Sequence, residues 1–278
     1  MKRLLPVIAA ILILAAAGCL NFPVKPSGTE MVFYLTDKPS VDAEHLYVLI
    51  EGVELITSDE ASPVELTEES TVVDIIGAAG DLVELGATTT EATFTKICLH
   101  VGAATVVTAA GTYACEIPSK KIDLLMPKYG AGKVDVIMDF DVNSSLWKTG
   151  TTPPSYMLRP AIKVTCVDPV DRISIHGFVR DATGTGLAGY AVGLFEGTKA
   201  ATDATLLALT VSHKENPKWQ AGEFRIYTHR DGKEHAVAAL EVHVEREDDK
   251  EKLVIDAVLD STVVSLTDDV EVNFTVTK

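Results

Sequence analysis

The chain has 278 residues and a formal net charge of −16, from 40 acidic and 24 basic side chains. Nothing basic is clustered densely enough to displace counterions from phosphates. That excludes nucleic acid as a partner and a folded domain lying flat on anionic lipid. The length allows two ordinary domains behind a leader, and the acidity reads as a solvated surface. One glutamine (Gln220) and four asparagines (Asn21, Asn143, Asn216, Asn273) are few for this length, a tendency of hyperthermophile proteins, so a thermophilic source is expected.

The first 18 residues read as an export signal: Lys2 and Arg3, an apolar run from Leu4 to Ala17, then the small residues Ala16-Ala17-Gly18 before Cys19. The apolar stretch is too short for a membrane span, which needs roughly 20 residues. A cysteine after small residues resembles the lipobox of prokaryotic lipoproteins, although Ala16 stands where leucine is commoner. The resemblance implies that Cys19 carries a diacylglycerol and becomes the mature N-terminus. An ordinary signal peptide or an uncleaved anchor is the alternative. Leu20 follows, so the aspartate that retains bacterial lipoproteins in the inner membrane is absent. Residues 19–28, with Pro23, Pro26 and Gly28, read as a short extended tether.

From there the pattern is all-β. Runs of Val, Ile, Thr, Phe and Tyr, broken by Gly, Pro, Asp and Ser, predict strands at 30–36, 45–57, 71–75, 92–101, 104–108, 112–117, 121–125, 132–140 and 156–167. A short helix is predicted over 78–86, ended by Gly86. Three cysteines follow Cys19: Cys98, Cys115 and Cys166. Without any Cys-x-x-Cys, zinc ribbons, thioredoxin chemistry and c-type haem attachment are disfavoured. Cys98 and Cys115 flank a predicted three-strand meander. Two strand spacings, roughly 9–10 Å, exceed the reach of a disulfide, and pairing of either with Cys166 stays open.

Val167-Asp168-Pro169-Val170-Asp171 reads as a linker. A second strand set follows, at 173–181, 189–196, 206–212, 223–228, 235–245, 252–259 and 270–277. The mixed charge run 245–252 reads as a solvated hairpin tip that discourages edge-to-edge pairing. The whole is therefore expected to be two β-sandwich domains in tandem, 29–167 and 171–278.

Several short elements carry a resemblance. Leu35-Thr36-Asp37-Lys38-Pro39, the long strand from His45 to Glu54, Val73-Asp74-Ile75-Ile76, Thr95 to Gly102, Met138-Asp139-Phe140-Asp141 and Tyr156 to Lys163 occur in this order behind the lipobox. In that order they resemble the LTDxP, TQIRL, LDFD and YxLKPxIK pattern of a prokaryotic lipoprotein domain family of unknown function. Cys98 stands where that family usually has arginine, and Thr90 to Phe94 replaces its Gly-Thr-Tyr run. The second half resembles a transthyretin-like, carboxypeptidase regulatory-like β-sandwich through Ile175 to Gly184, Leu187 to Leu194 and Ala221 to Phe224. An insertion at 213–220 departs from compact members. The resemblance implies a non-catalytic accessory role, with carbohydrate bound by some relatives, and transfers no site residues.

The candidate chemistry is sparse. Asp135, Asp139 and Asp141 share a strand face at period two and are candidate calcium ligands. An exposed acidic face, or an Asx turn at Asp141, is the plainer reading, and Asp268-Asp269 is a weaker candidate pair. These aspartates are expected to be exposed, with no deep pocket beside them. The histidines lack ligand spacing, and neither His-Glu-x-x-His nor Gly-x-Ser-x-Gly occurs. Gly130-Ala131-Gly132-Lys133 reads as a turn and not a phosphate loop. Trp147, Tyr156, Trp219 and Tyr227 are candidates for stacking on sugars, or core and rim residues. The sequons at Asn143 and Asn273 are candidate glycan sites on an exported chain.

No catalytic residue and no cofactor are implied. The expected protein is non-catalytic, lipid-anchored outside the cytoplasm, at the cell surface or in the periplasm. It is expected to bind or build, its partners being the membrane through Cys19 and cell-surface polysaccharide or surface proteins. Two alternatives stand beside this: a carbohydrate-binding accessory lipoprotein serving a transporter or hydrolase, and an assembly subunit that exchanges β-strands at open edges.

Overall fold

The computed structural model describes residues 28–38, 43–57, 63–67, 69–149, 154–200, 206–247 and 250–277. The leader, Cys19, the tether before Gly28 and the hairpin tip at 248–249 lie outside them. About two-thirds of the described residues are strand and almost none are helix, folded as two β-sandwiches in tandem.

The first sandwich contains β1 (Thr29–Lys38), β2 (His45–Thr57), β3 (Val64–Thr67), β4 (Thr71–Asp74), β5 (Val83–Thr90), β6 (Phe94–Thr108), β7 (Gly111–Glu116), β8 (Lys121–Leu125), β9 (Lys133–Asp141), helix α1 (Val142–Ser145), β10 (Leu146–Lys148), β11 (Tyr156–Leu158) and β12 (Ile162–Val167). Sheet I has the order β12-β9-β1-β5, with β1 and β9 parallel. Sheet II has the order β10-β11-β7-β6-β2-β3; β4 also pairs with β2 and β8 with β6. Alternate residues point inward, as a two-residue period requires. Met31, Phe33 and Leu35 of β1 and Val136, Met138 and Phe140 of β9 meet Leu46, Val48, Val53 and Leu55 of β2 and Ile97, Leu99 and Val106 of β6. Each such side chain contributes about 1.5–3 kcal/mol by leaving water.

Three expectations need correction. The strands expected at 92–101 and 104–108 are one strand, β6. Its inward positions step from Val101 to Ala104, and β2 steps in parallel from Ile50 to Val53, where the register shifts between Ile50 and Gly52. Bulges on both strands absorb the break in alternation that reads as a turn in the sequence. The helix expected over 78–86 does not form. Ile76–Ala78 is a single 3-10 turn, and Val83–Thr90 pairs antiparallel with β1. Thr88, Thr89 and Thr90 are β-branched and favour a pleated strand. The short helix instead follows β9, where Asp141 Oδ1 accepts the Ser144 amide at 3.0 Å and caps α1. The strand expected at 156–167 splits into β11 and β12, which join different sheets. Pro160, with no amide hydrogen, sits at the break.

The second sandwich contains β13 (Arg172–Arg180), β14 (Ala191–Glu196), β15 (Leu206–Val211), β16 (Glu223–His229), β17 (Glu234–Glu247), β18 (Lys250–Ser265) and β19 (Val270–Thr275). Sheet III is β16-β13-β19, with β13 and β19 parallel; sheet IV is β15-β14-β17-β18. Between them pack Ile173, Ile175, Val192, Leu194, Phe224, Val237 and Phe274. Ala191, Phe195, Leu209, Ala236 and Leu240 form a second apolar cluster, so β14 is buried on both faces and reads as a continuous apolar run. The turn at 181–184 is held by Asp181 Oδ1, which accepts the amides of Thr183 and Thr185 at 2.9 Å each. The turn at Asp231-Gly232 is locked by the buried His235, whose Nε2 lies 2.9 Å from Asp231 Oδ2. The segment between the sandwiches is a tight turn: the Asp171 amide donates to the Asp168 carbonyl at 2.8 Å, and Val170 to the Asp168 side chain at 2.9 Å.

Candidate functional site

The polar groups with the most constrained surroundings lie where the sandwiches meet. Arg172 opens β13, and its Nη1 donates to Asp135 Oδ2 of β9 at 2.5 Å. Its guanidinium also lies over the rings of Tyr34 and Tyr227, 5.5 and 5.9 Å from the centroids. Asp135 is 2% exposed. Burial pushes its carboxyl up, the Arg172 charge pulls it down, and Asp168 raises it again, leaving it above the ordinary aspartate range. A second ion pair joins Lys218, between β15 and β16, to Asp81, before β5. Gly80 lies under Arg225, where a Cβ would fall 2.6 Å from the Arg225 carbonyl oxygen. The buried Trp219 ring stacks on His213 with centroids 4.1 Å apart, and burial lowers the His213 pKa toward the neutral imidazole. A cleft of about 210 Å³ runs between sheet I and strands β15 and β16, lined by Asp139, Lys163, Thr165, Leu209, Arg225 and Tyr227 among others.

The predicted aspartates do not form one site. Asp135 is not exposed as expected: its position on β9 faces β13, and Arg172 neutralises it. Asp139 and Asp141 are half-buried beside the cleft, and Asp141 caps α1. Asp37, which the sequence reading treated only as part of a strand-ending motif, is 3% exposed, and neither carboxylate oxygen makes a hydrogen bond of ordinary geometry. Burial, reinforced by Asp139 and Asp141 and opposed by the Val142 amide, holds its carboxyl well above the usual range. Asp269 Oδ1 accepts the Ser174 amide at 2.6 Å, and Asp268 pairs with Arg230, so that pair is committed to turns.

Of the two sequons, Asn143 lies in α1 and is 5% exposed, so the folded chain does not present it for glycosylation; Asn273 on β19 is exposed. Cys98, Cys115 and Cys166 are free thiols, each pushed up to about 11, chiefly by burial. The aromatic side chains considered for sugar stacking are used in packing. Trp219 is on His213, Tyr156 lies against Tyr113, Tyr227 flanks Arg172, and Arg159 lies over the Trp147 ring.

One further group of donor atoms converges, on the outer face of sheet II. Antiparallel pairing sets Glu54 opposite Cys98 and Gly52 opposite His100. On the other side, β8 sets Asp123 opposite Cys98 and Lys121 opposite His100. His100 Nε2 lies 3.6 Å from Cys98 Sγ and 3.2 Å from Glu54 Oε1, and Lys121 Nζ lies 3.6 Å from Glu54 Oε2. Among the described residues, this is the group of three ligating side chains whose donor atoms all lie within 4.8 Å of one another. Sequence reasoning missed it. Cys98 and His100 alternate on one strand face, but their third partner comes from a strand some 45 residues earlier, through a register that only the fold reveals.

Residues 28–160 match the family model described as "Domain of unknown function (DUF4382)". No curated protein matches the chain. Solved structures with some likeness include a mutant of the shaft pilin SpaA from Lactobacillus rhamnosus GG, 10% identical over 90% of this chain and 99% of that one, with a TM-score of 0.26. The major pilin subunit BcpA of Bacillus cereus is 9% identical over 90% and 70%, with a TM-score of 0.26. A C-terminal fragment of the pilus adhesin SpaC from Lactobacillus rhamnosus GG is 10% identical over 89% and 96%, with a TM-score of 0.21. At these TM-scores the likeness bears on neither fold nor function.

Proposed function

We propose that the protein is a non-catalytic structural module of the cell surface, tethered outside the cytoplasm by a lipid on Cys19. It consists of a lipoprotein-family domain at 29–167 and a carboxypeptidase regulatory-like domain at 171–278. The observation that carries this reading is the junction. Arg172 is held by the buried Asp135 and by two tyrosine rings, so the second sandwich is a fixed extension of the first. Two further acidic side chains hold structure: Asp81 bridges the sandwiches and Asp141 caps α1. A stiff pair of sandwiches on a short tether suits a spacer or building unit better than a mobile sugar-binding arm. The engagement of Trp219, Tyr156 and Tyr227 in packing also favours structure over carbohydrate.

The test is made on the full chain in its native host or a close surrogate. Cys19→Ser is expected to abolish lipid labelling and to release the protein from the membrane fraction or leave its leader uncut. An unmodified N-terminus at another residue, found by intact-mass spectrometry, would refute the anchor. Metal-dependent turnover that is lost in Asp139→Asn would refute the non-catalytic reading.

A further inference from the structure

We propose that Glu54, Cys98 and His100 form a three-ligand site for a borderline-soft divalent cation, of which zinc is the representative, on the outer face of sheet II. The side chains are placed by the sheet itself. Cys98 and His100 sit two residues apart on β6 and so share a face, and Glu54 reaches the same face from β2. Gly52, opposite His100, has no side chain to compete for that space.

The spacing of the donor atoms is what distinguishes this group from a chance cluster. Tetrahedral zinc has Zn–S near 2.3 Å, Zn–N near 2.0–2.1 Å and Zn–O near 2.0–2.2 Å, so the edges of its coordination tetrahedron are about 3.5 Å for S···N and about 3.3 Å for N···O. The corresponding distances here are 3.6 Å for Cys98 Sγ to His100 Nε2 and 3.2 Å for His100 Nε2 to Glu54 Oε1. Two edges of the tetrahedron are therefore in place before any ion arrives. The donor types agree: thiolate, imidazole and carboxylate are the set that suits zinc and neighbouring transition metals, whereas magnesium and calcium take oxygen.

The charge balance also closes. One thiolate and one carboxylate neutralise a divalent cation, and His100 binds through Nε2 as the neutral imidazole. Binding releases one proton, from the Cys98 thiol to solvent, and the fourth position is left to water. Lys121 Nζ must leave Glu54 Oε2, and its side chain, 55% exposed, is free to swing outward. An ion held here would pin β2 to β6 near the middle of sheet II, from the face opposite the core. Lys121 is thus a built-in competitor, and its removal is expected to tighten binding.

Cobalt(II) is the probe, titrated into the full mature chain under reducing conditions. The expected result is one equivalent bound, with the thiolate-to-cobalt charge-transfer band and the intense visible bands of a tetrahedral site, and displacement by zinc. Cys98→Ser should abolish the charge-transfer band, while Cys115→Ser and Cys166→Ser keep it. His100→Gln, on the solvent side of the strand, should weaken binding by about 10–100-fold or more, at least what losing an outer-shell partner costs. Lys121→Ala should strengthen it. Because Cys98 is buried and any replacement there also tests the packing of the strand, the variants His100→Gln and Lys121→Ala stand as an independent pair. No charge-transfer band in the wild type, a band that survives in Cys98→Ser, or equal affinity in wild type and His100→Gln would each overturn the site.

Discussion

Asp37 shows how a single residue departs from what its chemical type suggests. It lies on the inward face of β1, continuing Met31, Phe33 and Leu35, beside the register partner Phe140 of β9. A carboxyl buried there with no counter-charge keeps its proton into a pH range where an ordinary aspartate has lost it. The sign of the stability effect follows. The folded state binds the proton more tightly than the unfolded chain, so stability is full below the unfolded pKa, near 3.9, and falls as pH rises toward the raised folded value. Asp37→Asn removes this dependence. The variant should match wild type near pH 4 and become more stable than it by about 1–3 kcal/mol at higher pH, the range for an unpaired buried polar group. Thermal melts across pH check this; a difference that stays constant, or favours wild type as pH rises, would count against it. Neither Asp37 nor Asp135 was legible as buried, because polarity in a strand pattern points outward by default. Only the counter-charge that arrives from another element, Arg172 for Asp135 and none for Asp37, shows the cost of that burial.

At the scale of elements, strand existence was largely readable and strand boundaries were not. The period-two pattern located β1, β2, β7, β8 and β9 and the second strand set, because one buried face forces alternation. It failed where the pattern is locally broken for a tertiary reason. The paired bulges make β6 look like two strands, Pro160 divides β11 from β12, and β5 carries a leucine–valine cluster that suits either a helix or an edge strand. Gly177 is an element-scale requirement that sequence alone shows only as a glycine in a strand. A Cβ there would lie 1.7 Å from the Val272 carbonyl oxygen, a backbone atom of the parallel neighbour β19. Gly177→Ala must push β13 and β19 apart and is expected to cost at least about 1–3 kcal/mol, as overpacking does. Gly130→Ala, where a Cβ meets nothing, should be close to neutral. Chemical denaturation of the two variants reads the contrast directly. The helix cap offers a smaller counterpart: Asp141→Ala should lose about 1 kcal/mol through the unpaired Ser144 amide.

At the scale of the whole molecule, the issue is whether the two sandwiches behave as one body. The linker at 167–171 was legible from its proline and aspartates, and the structure makes it a tight turn leading straight into Arg172. Removing the arginine leaves Asp135 buried without a counter-charge. Loss of one partner of a buried pair costs about 3–5 kcal/mol, whereas replacing both partners with apolar residues of similar size is often neutral or better. Arg172→Ala should therefore lower stability strongly and let the sandwiches melt separately, because the junction no longer couples them. The double replacement Asp135→Leu with Arg172→Leu should recover most of the loss in stability. It should not restore the cation–π seat between Tyr34 and Tyr227. Differential scanning calorimetry distinguishes these outcomes. The expected series is a single coupled transition in wild type, two transitions at lower temperature in Arg172→Ala, and a partly recoupled profile in the double variant. An Arg172→Ala profile that superposes on wild type would mean that Lys218–Asp81 and the packing of Gly80 under Arg225 hold the sandwiches together without it. The rigid-spacer reading would then rest on those contacts alone, and Lys218→Ala would become the variant that must uncouple the two halves.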